Sequence, residues 1–336
     1  MKRPIAWTLP HWTLAFWLLG CGVDSSAKPS AMVESALAAA TEAPIGPYVR
    51  VLGTMQDGGL PHPGCTCARC ELALRDPEAK RYVTSIALVV PATRQVFLFD
   101  ATPDLGHQLV LLRDIHPAPL GRVDRSPVDG VFLTHAHIGH YLGLAYFGYE
   151  ALNSSGVSVF STPRMAAFLR HNGPWSQLVD RENIRLEEIL PGDEIEIAPT
   201  VKVKAFSAPH RDEYADTLGY VLRGPERSLV YLPDTDSWEA WSSPVADFLS
   251  DVDVALIDGT FFSADELPGR SVESIGHPLI TTTMDLLGEW IGRSETKVYF
   301  THLNHSNAAL ERDGASLREI ESRGFEVLEE GDRFDL

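Results

Sequence analysis

A chain of 336 residues with 44% hydrophobic content can bury a sizeable core, as one large domain or two ordinary ones. Its net charge of −18, with only 28 Lys and Arg, argues against nucleic acid as a main partner, because no basic patch stands out to neutralise phosphates. The acidity itself reads as solubility.

Residues 1–20 read as an export signal. Lys2 and Arg3 precede an apolar stretch from Ile5 to Leu19, interrupted by Pro10 and His11, which ends in Leu18-Leu19-Gly20-Cys21. That ending resembles a bacterial lipobox with Cys21 as the acylated residue. The stretch is short of the ~20 apolar residues that a membrane span needs. Residues 21–47, rich in Ala, Ser, Pro and Glu, show no strand pattern and no apolar face, and so read as a flexible tether. The expectation is an exported lipoprotein of the cell envelope, anchored by lipid at the periplasmic face of a bacterial membrane. Its single folded domain would span 48–336. Gly22 does not indicate inner or outer membrane, and the sequence leaves the oligomeric state open.

Tyr48–Gly53 reads as a strand, followed by a Gly- and Pro-rich loop over Thr54–Cys70. Ser85–Val90 and Gln95–Asp100 suit a hairpin around Pro91–Arg94. Asp104–Arg113 has helical spacing with Asp104 as its cap. Val128–Leu133 is a short apolar run bounded by turn signals, as expected of a buried strand. Helical character follows at Leu142–Leu152, then a strand at Val157–Ser161 and a helix at Pro163–His171. In the second half Glu194–Ile197, Val201–Phe206, Leu218–Leu222 and Ser228–Leu232 read as strands. A helix near Pro244–Leu249 leads to the strand Val252–Ile257. Thr281–Ile291 is amphipathic, Lys297–Phe300 is a strand, and Asn307–Arg323 is the longest helical pattern. Two halves of strands flanked by helices predict an α/β protein of two sheets covered by helices.

With Cys21 acylated, Cys65, Cys67 and Cys70 are an odd number in an exported protein, awkward for a disulfide framework. Their spacing suits a thiolate metal knot lacking a fourth ligand. A second chemical signal is positional. His135, His137 and His140 follow Val128–Leu133, His210 follows Val201–Phe206, Asp234 follows Ser228–Leu232, and His302 follows Lys297–Phe300. Alone, His210 or Asp234 would be an ordinary loop residue. An apolar strand followed by a ligand type, four times in order, points to a metal site assembled at strand ends.

Thr134–His140 is nearly the HxHxDH signature, with Gly139 in place of aspartate, and the ordered set resembles the metallo-β-lactamase superfamily from Tyr48 onward. That resemblance implies an αββα four-layer sandwich. It implies a first metal position at His135, His137 and His210, a second at His140 and His302, and Asp234 bridging them. A narrower resemblance is to pyrroloquinoline quinone biosynthesis protein B and its relatives. It rests on Val51-Leu52-Gly53, Cys65-Thr66-Cys67-Ala68-Arg69-Cys70, Ile257-Asp258-Gly259-Thr260-Phe261, Gly276-His277-Pro278 and Thr301-His302-Leu303-Asn304-His305-Ser306. The phosphodiesterase associated with carbon–phosphorus lyase has the same cysteine loop, and that branch implies a structural zinc held by Cys65, Cys67, Cys70 and His305.

The expected function is metal-dependent hydrolysis of an ester, phosphodiester or lactone. Three imidazoles on one divalent ion (Zn, Mn or Fe) leave an open position where water can ionise near pH 7, to about that value. Asp234 would hold or deprotonate the water. His277 would bind the small-molecule substrate or donate a proton, or be an ordinary loop histidine. Asp258 is expected to orient a neighbour or cap a turn, and Asp236 to swing in for the missing aspartate, so that one or two ions are possible. His171, Trp175 and Arg181 are candidates for a pocket wall. Two other readings stay open: an iron-dependent oxygenase of the quinone-biosynthesis type, since His140, His302 and Asp234 are two histidines and a carboxylate, and a non-catalytic binding lipoprotein.

Overall fold

The computed structural model describes residues 46–115, 126–267, 269 and 275–336. The signal segment, Cys21 and the tether up to residue 45 lie outside the described residues.

Apolar strands build two seven-stranded sheets. The first contains β1 (Tyr48–Gly53), β2 (Ser85–Val90), β3 (Gln95–Phe99), β4 (Gly130–Phe132), β5 (Val157–Ser161), β6 (Ile184–Glu188) and β14 (Arg333–Asp335), in the order β14-β1-β2-β3-β4-β5-β6. The second contains β7 (Glu194–Ala198), β8 (Val201–Ser207), β9 (Leu218–Arg223), β10 (Ser228–Leu232), β11 (Val254–Asp258), β12 (Lys297–Thr301) and β13 (Glu326–Val327), in the order β13-β12-β11-β10-β9-β8-β7. Each sheet is antiparallel in one part and parallel in the other: β3 to β6 run parallel, as do β10 to β13.

The eight α-helices among the described residues are α1 (Ala68–Arg75), α2 (Leu105–Leu111), α3 (Ile138–Tyr141), α4 (Pro163–His171), α5 (Trp175–Asp180), α6 (Val245–Leu249), α7 (Ile280–Ile291) and α8 (Ala315–Ser322).

Three apolar clusters show why the layers stack. Ile86, Leu88, Phe99 and Phe132 of the first sheet meet Val203, Tyr220, Leu222, Tyr231 and Leu256 of the second, forming the seam between sheets. The alternate residues Ala87, Val89, Leu98 and Val131 face outward onto Leu105, Met165 and Leu169 of α2 and α4. Val230, Leu232, Ala255 and Ile257 do the same against Ile280, Met284 and Leu287 of α7. Strands buried on both faces read as unbroken apolar runs, which is why the sequence shows them so plainly. The result is the expected αββα sandwich.

Four local expectations are corrected. Leu142–Leu152 is not an α-helix but a 3₁₀ stretch over Leu142–Phe147; Gly143 packs so closely that a Cβ would stand 2.1 Å from the Thr102 carbonyl oxygen. Asn307–Arg323 is broken into a 3₁₀ turn at Ala308–Leu310 and α8, because Asp313 takes a left-handed φ of 61° and turns the chain at Gly314. α7 is therefore the longest helix described. Asp104 precedes α2 but makes no side-chain cap; its carboxylate accepts the Val83 N–H at 2.9 Å instead. The loop read as Thr54–Cys70 ends earlier, since α1 begins at Ala68 and carries Cys70.

Candidate metal centre

β4, β8, β10, β11 and β12 deliver their C-terminal ends to one edge of the sandwich, and the expected ligands leave from those ends. Register makes this literal: Leu232 pairs with Ile257, and Asp258 pairs with Thr301, so Asp234, Asp258 and His302 emerge side by side. The Tyr220 hydroxyl donates to the Leu133 carbonyl at 2.5 Å and ties the sheets together beneath the histidines.

His135, His137, His210 and Asp234 converge with ligand atoms within 4.8 Å of one another. His135 Nε2 stands 2.8 Å from His137 Nδ1 and 3.3 Å from Asp234 Oδ2. His210 Nε2 is 3.2 Å from both His137 Nδ1 and Asp234 Oδ1. A tetrahedral ion with bonds of about 2.1 Å sets its ligands about 3.4 Å apart, so this spacing fits one. The outward nitrogens are also engaged: His137 Nε2 with Glu213 Oε2 and His210 Nδ1 with Asp236 Oδ1, each at 3.2 Å. Such outer partners fix ring orientation and tautomer. Burial holds His135 well below the usual histidine range, aided by His140, and burial also lowers His137, which favours the neutral form that binds metal.

His140 and His302 form the next group, fully buried on the other side of Asp234. His140 Nδ1 donates to Asp100 Oδ2 at 2.7 Å, and His302 Nδ1 meets Thr260 Oγ1 at 2.9 Å. Their inner Nε2 atoms have no hydrogen-bond partner, and each stands 3.8 Å from Asp234 Oδ2. Two orphaned buried nitrogens aimed at a carboxylate would be costly unless a cation joined them. Burial opposes charge on His140, but the Asp100 carboxylate outweighs it and raises the ring to about 9. For Asp234 the order is reversed: burial would raise it, yet His277, His302 and His210 hold it far below the usual carboxylate range.

Asp100 was not anticipated. It follows β3 directly with a left-handed φ of 69°, and accepts the Thr134 N–H at 2.8 Å and the Thr134 hydroxyl at 3.0 Å, bracing the histidine turn. Asp57 was also missed. Its Oδ1 accepts the Gly139 N–H at 3.0 Å and lies 3.7 Å from His140 Nε2, and Asp57, His140 and His302 have ligand atoms within 4.8 Å of one another. Asp236, expected to fill this role, is held on His210 instead.

His277 is buried beside the same carboxylates, with Nδ1 2.8 Å from Asp258 Oδ2 and 3.2 Å from Asp234 Oδ1. Burial opposes its charge, but Asp258 and Asp234 raise it to about 9. Asp258 also accepts from the Thr235 N–H at 3.2 Å, the Thr260 N–H at 2.9 Å and the Thr260 hydroxyl at 2.7 Å. It orients His277 and Thr260, as expected.

The cysteine loop closes on the far side of the His302 turn. His305 Nδ1 stands 3.6, 3.9 and 3.6 Å from the sulfurs of Cys65, Cys67 and Cys70. Zinc bonds of about 2.3 Å to sulfur and about 2.0 Å to nitrogen place such atoms about 3.6 Å apart, so the four fit a closed tetrahedral site. The Cys70 N–H and other donors lower Cys67, whereas burial pushes the Cys70 thiol up to about 12.

Trp175 is buried against Tyr141 and Phe168, Arg181 stacks over Tyr149, and His171 is exposed with Nδ1 on the Ala167 carbonyl.

Residues 95–303 match a beta-lactamase superfamily domain. Coenzyme PQQ synthesis protein B of Methylorubrum populi is 25% identical over 316 residues, covering 86% of this chain and all of that protein. Zn(2+)-bound PqqB from Methylobacterium extorquens superposes with a TM-score of 0.71 at 23% identity, over 86% of this chain and all of that one. A diphosphatase of the PhnP family superposes with a TM-score of 0.62 at 18% identity, over 86% of this chain and 97% of the other.

Proposed function

Because the chain belongs to the beta-lactamase superfamily, we propose that it is a membrane-tethered, metal-dependent hydrolase acting on a small ester, phosphodiester or lactone. The observation that carries this reading is the convergence of His135, His137, His210 and Asp234 with ligand atoms inside 4.8 Å. These residues would hold one divalent ion. Such an ion supplies Lewis acidity and brings the pKa of water near it to about 7.

The chain's own residues do the rest. Asp234 faces the first histidine group with Oδ1 and both groups with Oδ2, so it positions whatever lies between them. Asp258 turns His277 so that Nδ1 is spent on carboxylates, leaving Nε2 to meet substrate and pass a proton to a leaving oxygen. A zinc held by Cys65, Cys67, Cys70 and His305 would be structural, since four protein ligands would leave no open position. The tether reading rests on Leu18-Leu19-Gly20-Cys21 alone.

The test is turnover by the full chain loaded with Zn or Mn, assayed with bis(p-nitrophenyl) phosphate, p-nitrophenyl acetate and a simple lactone. Hydrolysis of one class, lost in His135→Ala, is expected. No turnover of any of them by fully loaded protein would overturn the proposal.

A second reading is an iron-dependent oxygenase. It is favoured by the match along the whole length of a coenzyme PQQ synthesis protein, and by the free Nε2 atoms of His140 and His302 beside one Asp234 oxygen. Oxygen consumption by the Fe(II)-loaded chain, absent from the Zn-loaded one, would select it over hydrolysis.

A further inference from the structure

We propose that Asp57 supplies the carboxylate that position 139 lacks. With His140, His302 and the shared Asp234 it completes a second metal position, and the chain then holds two divalent ions in its site. The inference rests on the metal-site reading above but not on the reaction.

A Cβ on residue 139 would stand 2.1 Å from Asp57 Oδ1 and 2.8 Å from Asp57 Cα. Gly139 is not among the glycines with left-handed φ, so its backbone would accept a side chain. What excludes one is the Asp57 residue occupying that volume. The glycine marks a ligand that arrives from elsewhere in the chain.

His140 Nε2 and His302 Nε2 are orphaned in a fully buried space, and Asp57 Oδ1 is the carboxylate atom 3.7 Å from the former. The Gly139 N–H uses one lone pair of that oxygen and leaves another.

The Asp57 loop is anchored to the His302 turn. Met55 bridges to Leu303, the Gln56 N–H donates to the Leu303 carbonyl at 2.9 Å, and the Leu303 N–H donates to the Thr54 carbonyl at 2.9 Å. Leu303 follows His302 directly. A turn closed by the Gly59 N–H on the Gln56 carbonyl at 2.7 Å then presents Asp57. The loop is thus fastened to the very turn that carries the other ligand.

Metal content decides the matter. The full chain, saturated with Zn and freed of excess, should hold three ions by mass spectrometry, one in the cysteine knot and two in the site. Asp57→Asn keeps a carbonyl for the Gly139 N–H and should hold two, with at least a tenfold loss of affinity for the third. Combining Asp57→Gly with Gly139→Asp should restore three. Equal content and affinity in Asp57→Asn and the wild type would show Asp57 to be a turn residue only and overturn the proposal. So would a wild type that never exceeds two ions. Should the variants fail to fold, Co(II)-loaded wild type replaces them: a spin-coupled pair supports the proposal, and isolated high-spin cobalt alone overturns it. Loss of the third ion in a chain that hydrolyses nothing would leave this inference standing and sink the hydrolase reading.

Discussion

His302 and His305 lie three residues apart and face two different clusters. His302, held at a left-handed φ of 61°, points Nε2 into the buried site, while His305 turns Nδ1 toward three cysteine sulfurs. A non-glycine residue in that conformation costs on the order of 1–3 kcal/mol and persists only where its surroundings hold it. A zinc held by Cys65, Cys67, Cys70 and His305 would be one of those restraints. His305→Ala should therefore remove one zinc per chain and lower activity about 10–100-fold without touching a catalytic ligand. Zinc content, melting temperature and turnover measured together check this. A stable, fully active His305→Ala protein with unchanged zinc would show the knot to be idle.

Asp100 acts on metal through His140. Asp100→Asn keeps an acceptor for the Thr134 N–H but removes the charge that strengthens His140 as a donor. Metal affinity at the His140 position should fall about 10–100-fold, while the His135 group keeps its ion. Titration calorimetry on the full chain separates the two. Equal weakening of both would argue for general damage instead.

Glu330 gives the fold a pH dependence away from the metals. Burial raises it to about 7 from an ordinary 4.5, only partly opposed by the Tyr82 N–H and Arg81. The unfolded chain therefore releases this proton first, and stability falls as pH rises from 4.5 to 7, levelling off above. Against Glu330→Gln, which still accepts from Tyr82, the wild type should lose up to about 3 kcal/mol across that window. Chemical denaturation at several pH values gives the difference. Parallel curves for the two proteins would refute it.

Cys21 governs location if the lipobox reading holds. Cys21→Ser should move the protein from the membrane pellet to the soluble fraction and abolish labelling by a palmitate analogue, with activity retained. Persistence in the pellet would rule out lipid as the anchor.

Legibility in the sequence followed locality. The strands of the β2–β3 hairpin announced themselves because each carries its own apolar run, and β5 because Val157 and Val159 alternate with less buried residues. β13 and β14, two and three residues long and partly exposed, exist only through pairing with β12 and β1. The ordered ligands were readable because each follows its strand at once. Asp57 was not, since it reaches Gly139 from 82 positions away and sits in a loop whose glycines looked like turn chemistry alone.

The close approach at Gly139 also constrains how such a chain can change over time. A side chain at 139 and the present Asp57 exclude one another, so neither position can mutate freely first. Gly139→Asp alone meets a clash, and loss of Asp57 alone leaves a hole between two imidazoles. Related chains should therefore fall into two sets, with an acidic residue at one position or at the other and seldom at both. Lineages crossing between them must pass through an intermediate short of a carboxylate, which makes the pair of positions, rather than the six-residue signature, the marker by which to sort them.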